Sequence, residues 1–248
     1  MTRILICIPT YNERESLPDI LQRTRRAVPQ CDILIIDDAS PDGTGQYAQQ
    51  CADADAAVFV LHREQKTGLA DAYFAGFRWA IARGYDFACQ MDADGSHQPE
   101  QLPALLQRAV APDSPELVIG SRWVAGGEVV NWPKYRQVLS RAGNRYVRAL
   151  TGLPVSDVTA GFRVYRTDLL RRIDFNDVSV HGYFFQVDMT YRAEQLAARI
   201  VEVPISFTNR TLGVSKMSSR IIGEAFVHAT SLGVRRRWSQ LRRRITSR

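Results

Sequence analysis

The sequence predicts an α/β fold, a mostly parallel central sheet flanked by helices. Two observations carry that expectation. Short apolar runs alternate with helix-like stretches through the first half of the 248-residue chain. Strands and helices alternating at this length build parallel sheets covered on both faces. The apolar runs also end, one after another, in polar or acidic residues, which gathers those groups at one edge of the sheet. In such sheets ligands bind at the carboxyl ends of the strands, so function is sought at that edge.

Residues 3–8 read as a strand and 16–28 as a helix. A second strand covers 32–36, and 44–51 lie in a second helix. A third strand covers 57–61, followed by a strongly helical 69–83. A fourth strand is expected over 86–91, a fourth helix over 100–110 and a short fifth strand over 117–119. The second half is less regular. Residues 133–150 have helix-compatible spacing, 200–207 resemble a strand interrupted at Pro204, and 217–234 a last helix. No internal repeat or low-complexity linker is visible, so one domain with a C-terminal extension is the simplest organisation.

Composition bounds the class. Hydrophobic residues make up 45% and charged residues 23%, ordinary for a globular chain with a proper core. No apolar run approaches the ~20 residues that span a bilayer. The first apolar stretch stops at Pro9, too short for a signal peptide, and the expectation is a cytoplasmic protein. Cys7, Cys31, Cys51 and Cys89 show no C-x-x-C spacing, so free thiols in a reducing compartment are expected. The net charge of +6 is unevenly placed: residues 235–248 hold seven arginines and no acid. With those set aside, the 32 basic residues fall just below the 26 acidic ones. Such a tail is a solvated end, or a contact for an anionic membrane surface or nucleic acid.

The strand ends carry the chemistry. Strand one ends in Pro9-Thr10-Tyr11-Asn12-Glu13, strand two in Asp37-Asp38-Ala39-Ser40-Pro41-Asp42-Gly43-Thr44, and strand four in Asp92-Ala93-Asp94-Gly95. Asp92 and Asp94 are two apart and share a face in extended chain. Two carboxylates held together repel unless a cation lies between them, and a hard divalent ion with oxygen ligands fits. An isolated Asp-x-Asp is more often a helix cap; here the preceding strand and the acids on neighbouring strands reverse that preference. Asp42 and Gly43 read as turn formers. Asp37 and Asp38 come earlier, directly on the strand end, where a carboxylate can bond a ribose hydroxyl or a base edge. His62 and His228 are isolated and read as structural. His97 either touches the metal motif or is structural, and Phe77 and Trp79 read as core. Gln186 and Asp188 have no assigned role.

These motifs, with Lys66-x-Gly68-Leu69-x-x-Ala72, resemble family 2 GT-A glycosyltransferases in order and spacing. Gly120-Ser121-Arg122, Asp157-x-Thr159-x-Gly161-Phe162-Arg163 and Arg210-x-x-Gly213-x-Ser215-Lys216 narrow the resemblance to polyprenyl-phosphate (dolichol-phosphate) mannose synthase catalytic domains. The resemblance covers about residues 3–217 and implies a catalytic domain over 1–217, with 218–248 a membrane-proximal helix and Arg-rich tail. It implies that Pro9, Tyr11, Glu13 and Asp38, with Asp37 and Lys66, hold the nucleotide. Asp92 and Asp94 would hold Mg²⁺ or Mn²⁺ on the donor diphosphate. Arg210 and Lys216 would close over the phosphates, and Arg122 and Arg136, with Ser140, would hold the acceptor phosphate. One departure is visible: relatives often carry Leu-Gln after the second aspartate, where this chain has Gly95-Ser96, so Ser96 would be a shorter third metal ligand.

The implied reaction moves mannose from GDP-mannose to a polyprenyl or dolichyl monophosphate. A metal and nearby cations neutralise the leaving diphosphate. A phosphate monoester is already anionic near pH 7, its second pKa being about 6, so it needs positioning more than a base. Arginines grip phosphate bidentately. The reaction is then a direct displacement with inversion, with Asp94, Arg122 and Arg136 the central residues. Residues 134–153 interleave Tyr135, Val138, Leu139, Tyr146, Val147, Leu150 and Leu153 with Lys134, Arg136, Arg141, Arg145 and Arg148. That stripe is an interfacial membrane face or a core-facing helix with a solvated side. With the tail, it suggests peripheral attachment to the cytoplasmic face of a membrane, with or without a separate anchor protein. Rival readings are transfer of glucose from UDP-glucose to the same lipid, a nucleotidyltransferase, and a nucleic-acid-binding protein using the tail. A nucleotidyltransferase would favour a glycine-rich basic signature after strand one. No nucleic-acid-binding motif accompanies the near-neutral body, so no nucleic acid is expected.

Overall fold

A computed structural model describes residues 2–178 and 184–209, together with Thr230. The expected helix over 217–234, the Arg-rich tail, Arg210 and Lys216 otherwise lie outside the described residues. The order is β1 (Ile4–Thr10), α1 (Leu17–Ala27), β2 (Asp32–Asp37), α2 (Thr44–Ala54), β3 (Val58–His62), α3 (Leu69–Ala82), β4 (Phe87–Gln90), α4 (Leu102–Ala109), β5 (Leu117–Ser121), β6 (Glu128–Val130), α5 (Lys134–Thr151), β7 (Arg163–Arg166), α6 (Thr167–Arg172), α7 (Phe184–Gln195), β8 (Ile200–Pro204) and β9 (Ser206–Thr208). A short 3-10 turn, Pro99–Gln101, precedes α4.

Among the described residues the main sheet has seven strands in the order β3-β2-β1-β4-β7-β5-β8. β1 pairs parallel with β2 and β4, β2 with β3, and β5 with β8. β7 alone runs antiparallel, against both β4 and β5. The expected mostly parallel sheet is therefore present, and its parallel strands all end at one edge.

Alternation along the strands builds two core layers. Leu5, Cys7, Leu34, Ile36 and Ile119 face one side with α3, α6 and α7. Ile6, Ile8, Ile33, Ile35 and Val118 face the other with α1 and α4. Side chains of successive strand residues point to opposite faces, and a sheet covered on both sides needs apolar residues on both. All four cysteines are free, and Cys7, Cys31 and Cys89 are buried.

Three departures from the sequence reading have physical causes. β7, Arg-Val-Tyr-Arg, is short and ends in charge, so nothing in its pattern marks a central strand. It is buried because Arg163 finds partners inside the protein. Residues 200–207 form two strands rather than one: Pro204 ends β8, and Ile205 crosses over, its amide donating to the Ser121 carbonyl at 3.0 Å and its carbonyl accepting from Glu128 at 2.9 Å. β9 then pairs parallel with β6 in a separate two-stranded sheet. The α5 stripe also divides. Val147 is buried and Leu150 packs on the core, whereas Tyr135 and Val138 are 73% and 67% exposed. Among the described residues no helix is long and apolar enough to cross a membrane.

Candidate active site

The loops after β1 and β2 are stitched together by main-chain donors and side-chain acceptors. The amide of Asn12 donates to Ser40 Oγ at 3.1 Å, that of Glu13 to Thr44 Oγ1 at 3.0 Å and that of Arg14 to Asp42 Oδ2 at 3.1 Å. Asp42 Oδ1 also accepts from the Thr44 amide and hydroxyl at 3.0 and 2.6 Å. Burial opposes the Asp42 charge, but bonds from Thr44 and Arg14 overcome it and hold the carboxyl below its ordinary value. Gly43 and Ala39 are left-handed, at φ 85° and 58°. Alanine is disfavoured there by its Cβ, and the surrounding bonds hold it. Asp42 and Gly43 thus form the turn, as the sequence suggested.

The two neighbouring acids face different partners. Asp37 accepts from the Thr10 hydroxyl at 3.3 Å and the Ser40 amide at 3.2 Å. A Cβ on Gly45 would lie 2.6 Å from Asp37 Oδ2, so glycine is what lets α2 start against that carboxylate. Asp37 is thereby enclosed in the turn. Asp38 accepts from Arg63 at 2.5 Å and the Gly68 amide at 3.4 Å. Burial pushes its carboxyl up, with Arg63 and the Gly68 and Thr67 amides pulling against it. Lys66 Nζ sits 3.5 Å over the Tyr11 ring, a cation–π contact that brings the third motif over the first. Pro9 is buried at the end of β1, and Glu13 Oε2 accepts from Ser16 at 2.8 Å.

The Asp92-Ala93-Asp94 motif comes directly after β4. Tyr73, on α3, donates its hydroxyl to Asp92 Oδ1 at 2.7 Å. The Ser96 amide donates to Asp94 Oδ1 at 3.0 Å. The Asp92 amide donates to His97 Nδ1 at 3.0 Å, so Nδ1 accepts and the ring proton lies on Nε2. Burial lowers the His97 pKa against the pull of Asp92 and Asp94, which keeps the ring neutral. It stacks on Phe162 at 4.9 Å. His97 therefore touches the motif through main chain, resolving the choice the sequence left open.

Among the described residues no three or more His, Cys, Asp or Glu side chains gather as a metal cluster. Two carboxylates on one strand end still fit a Mg²⁺-type ion, which commonly takes one or two protein carboxylates and completes its shell with phosphate and water. Ser96 is buried, with its main chain spent on Asp94 and Thr208.

The other wall is built from buried charge. Arg122, at the end of β5, donates Nε and Nη2 to the two Asp157 oxygens, each at 2.7 Å, and its amide adds a third bond at 3.0 Å. Asp157 is 0% exposed. The amides of Ser156 and Asp157 are held by Glu202 at 2.7 and 3.0 Å. Asn144 ties this loop to α5, accepting from the Val158 amide at 2.8 Å and donating to the Ser140 carbonyl at 2.9 Å. Arg136 lies 3.9 Å over Trp132 and donates to Asn209 Oδ1 at 2.9 Å. One loop, residues 157–161, joins the two walls: Asp157 grips Arg122, and Gly161 adjoins Asp92 and His97. Sequence reasoning missed Tyr73 and the Arg122–Asp157 pair. Asp157 stood inside a quoted motif, but its partner 35 residues away carried no local signal.

Comparison with known proteins identifies the family. The model of Glycosyl transferase family 2 matches residues 5–174. The chain is 56% identical over 243 residues to an undecaprenyl-phosphate mannosyltransferase of Micrococcus luteus, covering 98% of this chain and 99% of that protein. It is 51% identical to a polyprenol monophosphomannose synthase of Mycolicibacterium smegmatis, covering 97% and 90%. A mannosyltransferase from Pyrobaculum calidifontis, solved with GDP-Man and Mn²⁺, superposes with a TM-score of 0.62 at 16% identity. That match covers 94% of this chain and 64% of the other, and supports the fold alone. The fold is that of the GT-A glycosyltransferases, and the chain belongs to glycosyl transferase family 2.

Proposed function

We propose that this enzyme transfers mannose from GDP-mannose to a polyprenyl monophosphate, with inversion and with a divalent metal. The observation that carries the proposal is the full-length similarity to two proteins named for transfer of mannose to polyprenyl phosphate. The geometry supports it. Asp92 and Asp94 would hold Mg²⁺ or Mn²⁺, whose chemistry is to neutralise charge on the departing diphosphate. Ser96 is the proposed third ligand. Asp38, Tyr11, Glu13, Pro9 and Lys66 would hold the nucleotide. Asp37 is assigned to the same subsite through the turn it stabilises.

Arg122, Arg136 and Ser140 would meet the acceptor phosphate. Arg122 spends Nε and Nη2 on Asp157 and Thr159, and its Nη1 makes no hydrogen bond among the described residues. That edge is the one offered to an anion. An acceptor already anionic near pH 7 needs no general base, so direct displacement asks only for alignment. Arg210 and Lys216 are proposed to close over the phosphates. The exposed Tyr135 and Val138, flanked by exposed Lys134, Arg141, Arg145 and Arg148 on α5, support peripheral attachment to an anionic membrane surface.

The test is incubation with labelled GDP-mannose and a short polyprenyl phosphate, with and without Mn²⁺, beside a UDP-glucose control. Labelled lipid from GDP-mannose, dependent on metal, is expected. Label from UDP-glucose alone would overturn the donor assignment. Label undiminished by chelation would overturn the metal.

A further inference from the structure

We propose that Gln186 binds a hydroxyl of the donor sugar, and that the space beside Gly161 is the seat of that hydroxyl. The inference deepens the function proposed above and rests on it.

Gly161 is a glycine without a conformational reason. Its φ is not among the positive ones. A Cβ there would meet His97 Cε1 at 3.4 Å, Asp92 Oδ2 at 3.7 Å and Gln186 Nε2 at 3.7 Å, all ordinary contacts. The protein therefore leaves a methyl-sized space bounded by the metal-motif carboxylate, an imidazole edge and an amide. Gln186 is 1% exposed, and its Oε1 has no hydrogen-bond partner among the described residues. A buried amide oxygen without a donor is costly, and native proteins keep one where something else supplies the bond.

The chemistry of the missing partner is set by its surroundings. Gln186 turns Nε2 to the space while its Oε1 lacks a donor, and an ionised phosphate oxygen has no hydrogen to give that oxygen. A hydroxyl both donates and accepts, so it satisfies the amide in either orientation. A sugar carried on a diphosphate held at Asp92 brings hydroxyls to that position.

The gap is also rigid. Arg163, 0% exposed, donates to the carbonyls of Val158 at 2.9 Å, Ala160 at 2.7 Å and Gln186 at 3.0 Å. Thr190 adds a bond to the same Gln186 carbonyl at 2.8 Å. One arginine thus pins the Gly161 loop to the first turns of α7, fixing the spacing a hydroxyl must fill.

The experiment compares GDP-mannose with analogues each lacking one hydroxyl. If the wild type transfers nothing from GDP-mannose, the underlying function fails, a result distinct from failure of the sugar seat. Given transfer, the wild type should disfavour one analogue about ten-fold in kcat/KM, the size of one lost hydrogen bond. Gln186→Leu should lose about ten-fold on GDP-mannose and stop discriminating against that analogue alone. Gly161→Ala should keep its Tm and raise the KM for GDP-mannose. A folded Gln186→Leu that keeps every analogue ratio overturns the proposal. Should that variant not fold, Gly161→Ala decides: an unchanged KM overturns it.

Discussion

The two walls of the site are built by opposite means. The side at the ends of β1 and β2 is held mostly by bonds between main-chain amides and Ser40, Asp42 and Thr44, with one ion pair, Arg63 on Asp38. The side at the end of β5 is held by charges removed from water, Arg122 on Asp157 and Arg163 among carbonyls, with the half-buried Glu202 under Ser156 and Asp157. The first kind of wall is assembled from many bonds worth about 1 kcal/mol each. The second concentrates its energy in a few groups, each of which becomes a buried liability when its partner is removed. The wall at the ends of β1 and β2 should thus degrade gradually under mutation, and the Arg122–Asp157 wall abruptly.

The largest effect is expected at Asp157→Ala. It strands the Arg122 guanidinium, and breaking such a buried pair costs about 3–5 kcal/mol, read as a fall in unfolding free energy in urea. A loss below about 1 kcal/mol, the range of exposed pairs, would erase the contrast between the walls.

Asp94→Ala separates chemistry from architecture. Turnover should fall about a hundred- to a thousand-fold, the range for one preorganised electrostatic group, while the urea midpoint stays close to wild type. Full activity would remove the metal assignment, and a large stability loss would place Asp94 with the structural charges.

The smallest effect concerns Asp42. Its carboxyl is held below the ordinary value, so its stabilisation is complete above the unfolded carboxylate pKa of about 4. It is lost as pH falls through the lower folded value. Wild type should therefore lose stability more steeply than Asp42→Asn as pH drops from about 5 to 3. Parallel curves would show that the turn does not depend on that charge.

The wall at the ends of β1 and β2 was largely legible in the sequence and the Arg122–Asp157 wall was not. Asp42-Gly43-Thr44 announces its turn because all its partners lie within a few residues or on the next strand. The Asp92/Asp94 pair announces itself because an apolar run ends on it. Arg122 was visible as a residue but not as half of a pair. β7 was missed because a four-residue strand ending in arginine has no apolar period. The divided stripe on α5 could not be resolved either, since helical spacing is the same whether a face meets core or solvent.

The sequence by itself determined the strand–helix alternation, the edge at which the motifs gather and the family. Periodicity and turn chemistry are local, and local chemistry is written in consecutive residues. Only the tertiary structure decided that Asp37 serves its turn while Asp38 faces Arg63, that His97 holds Asp92 through main chain, and that Gly161 leaves a space opposite Gln186. Those facts depend on groups far apart in the chain, brought together by the sheet order and by burial. A buried charge or amide acquires its role from the partner it is enclosed with, and no spacing of residues records that partner.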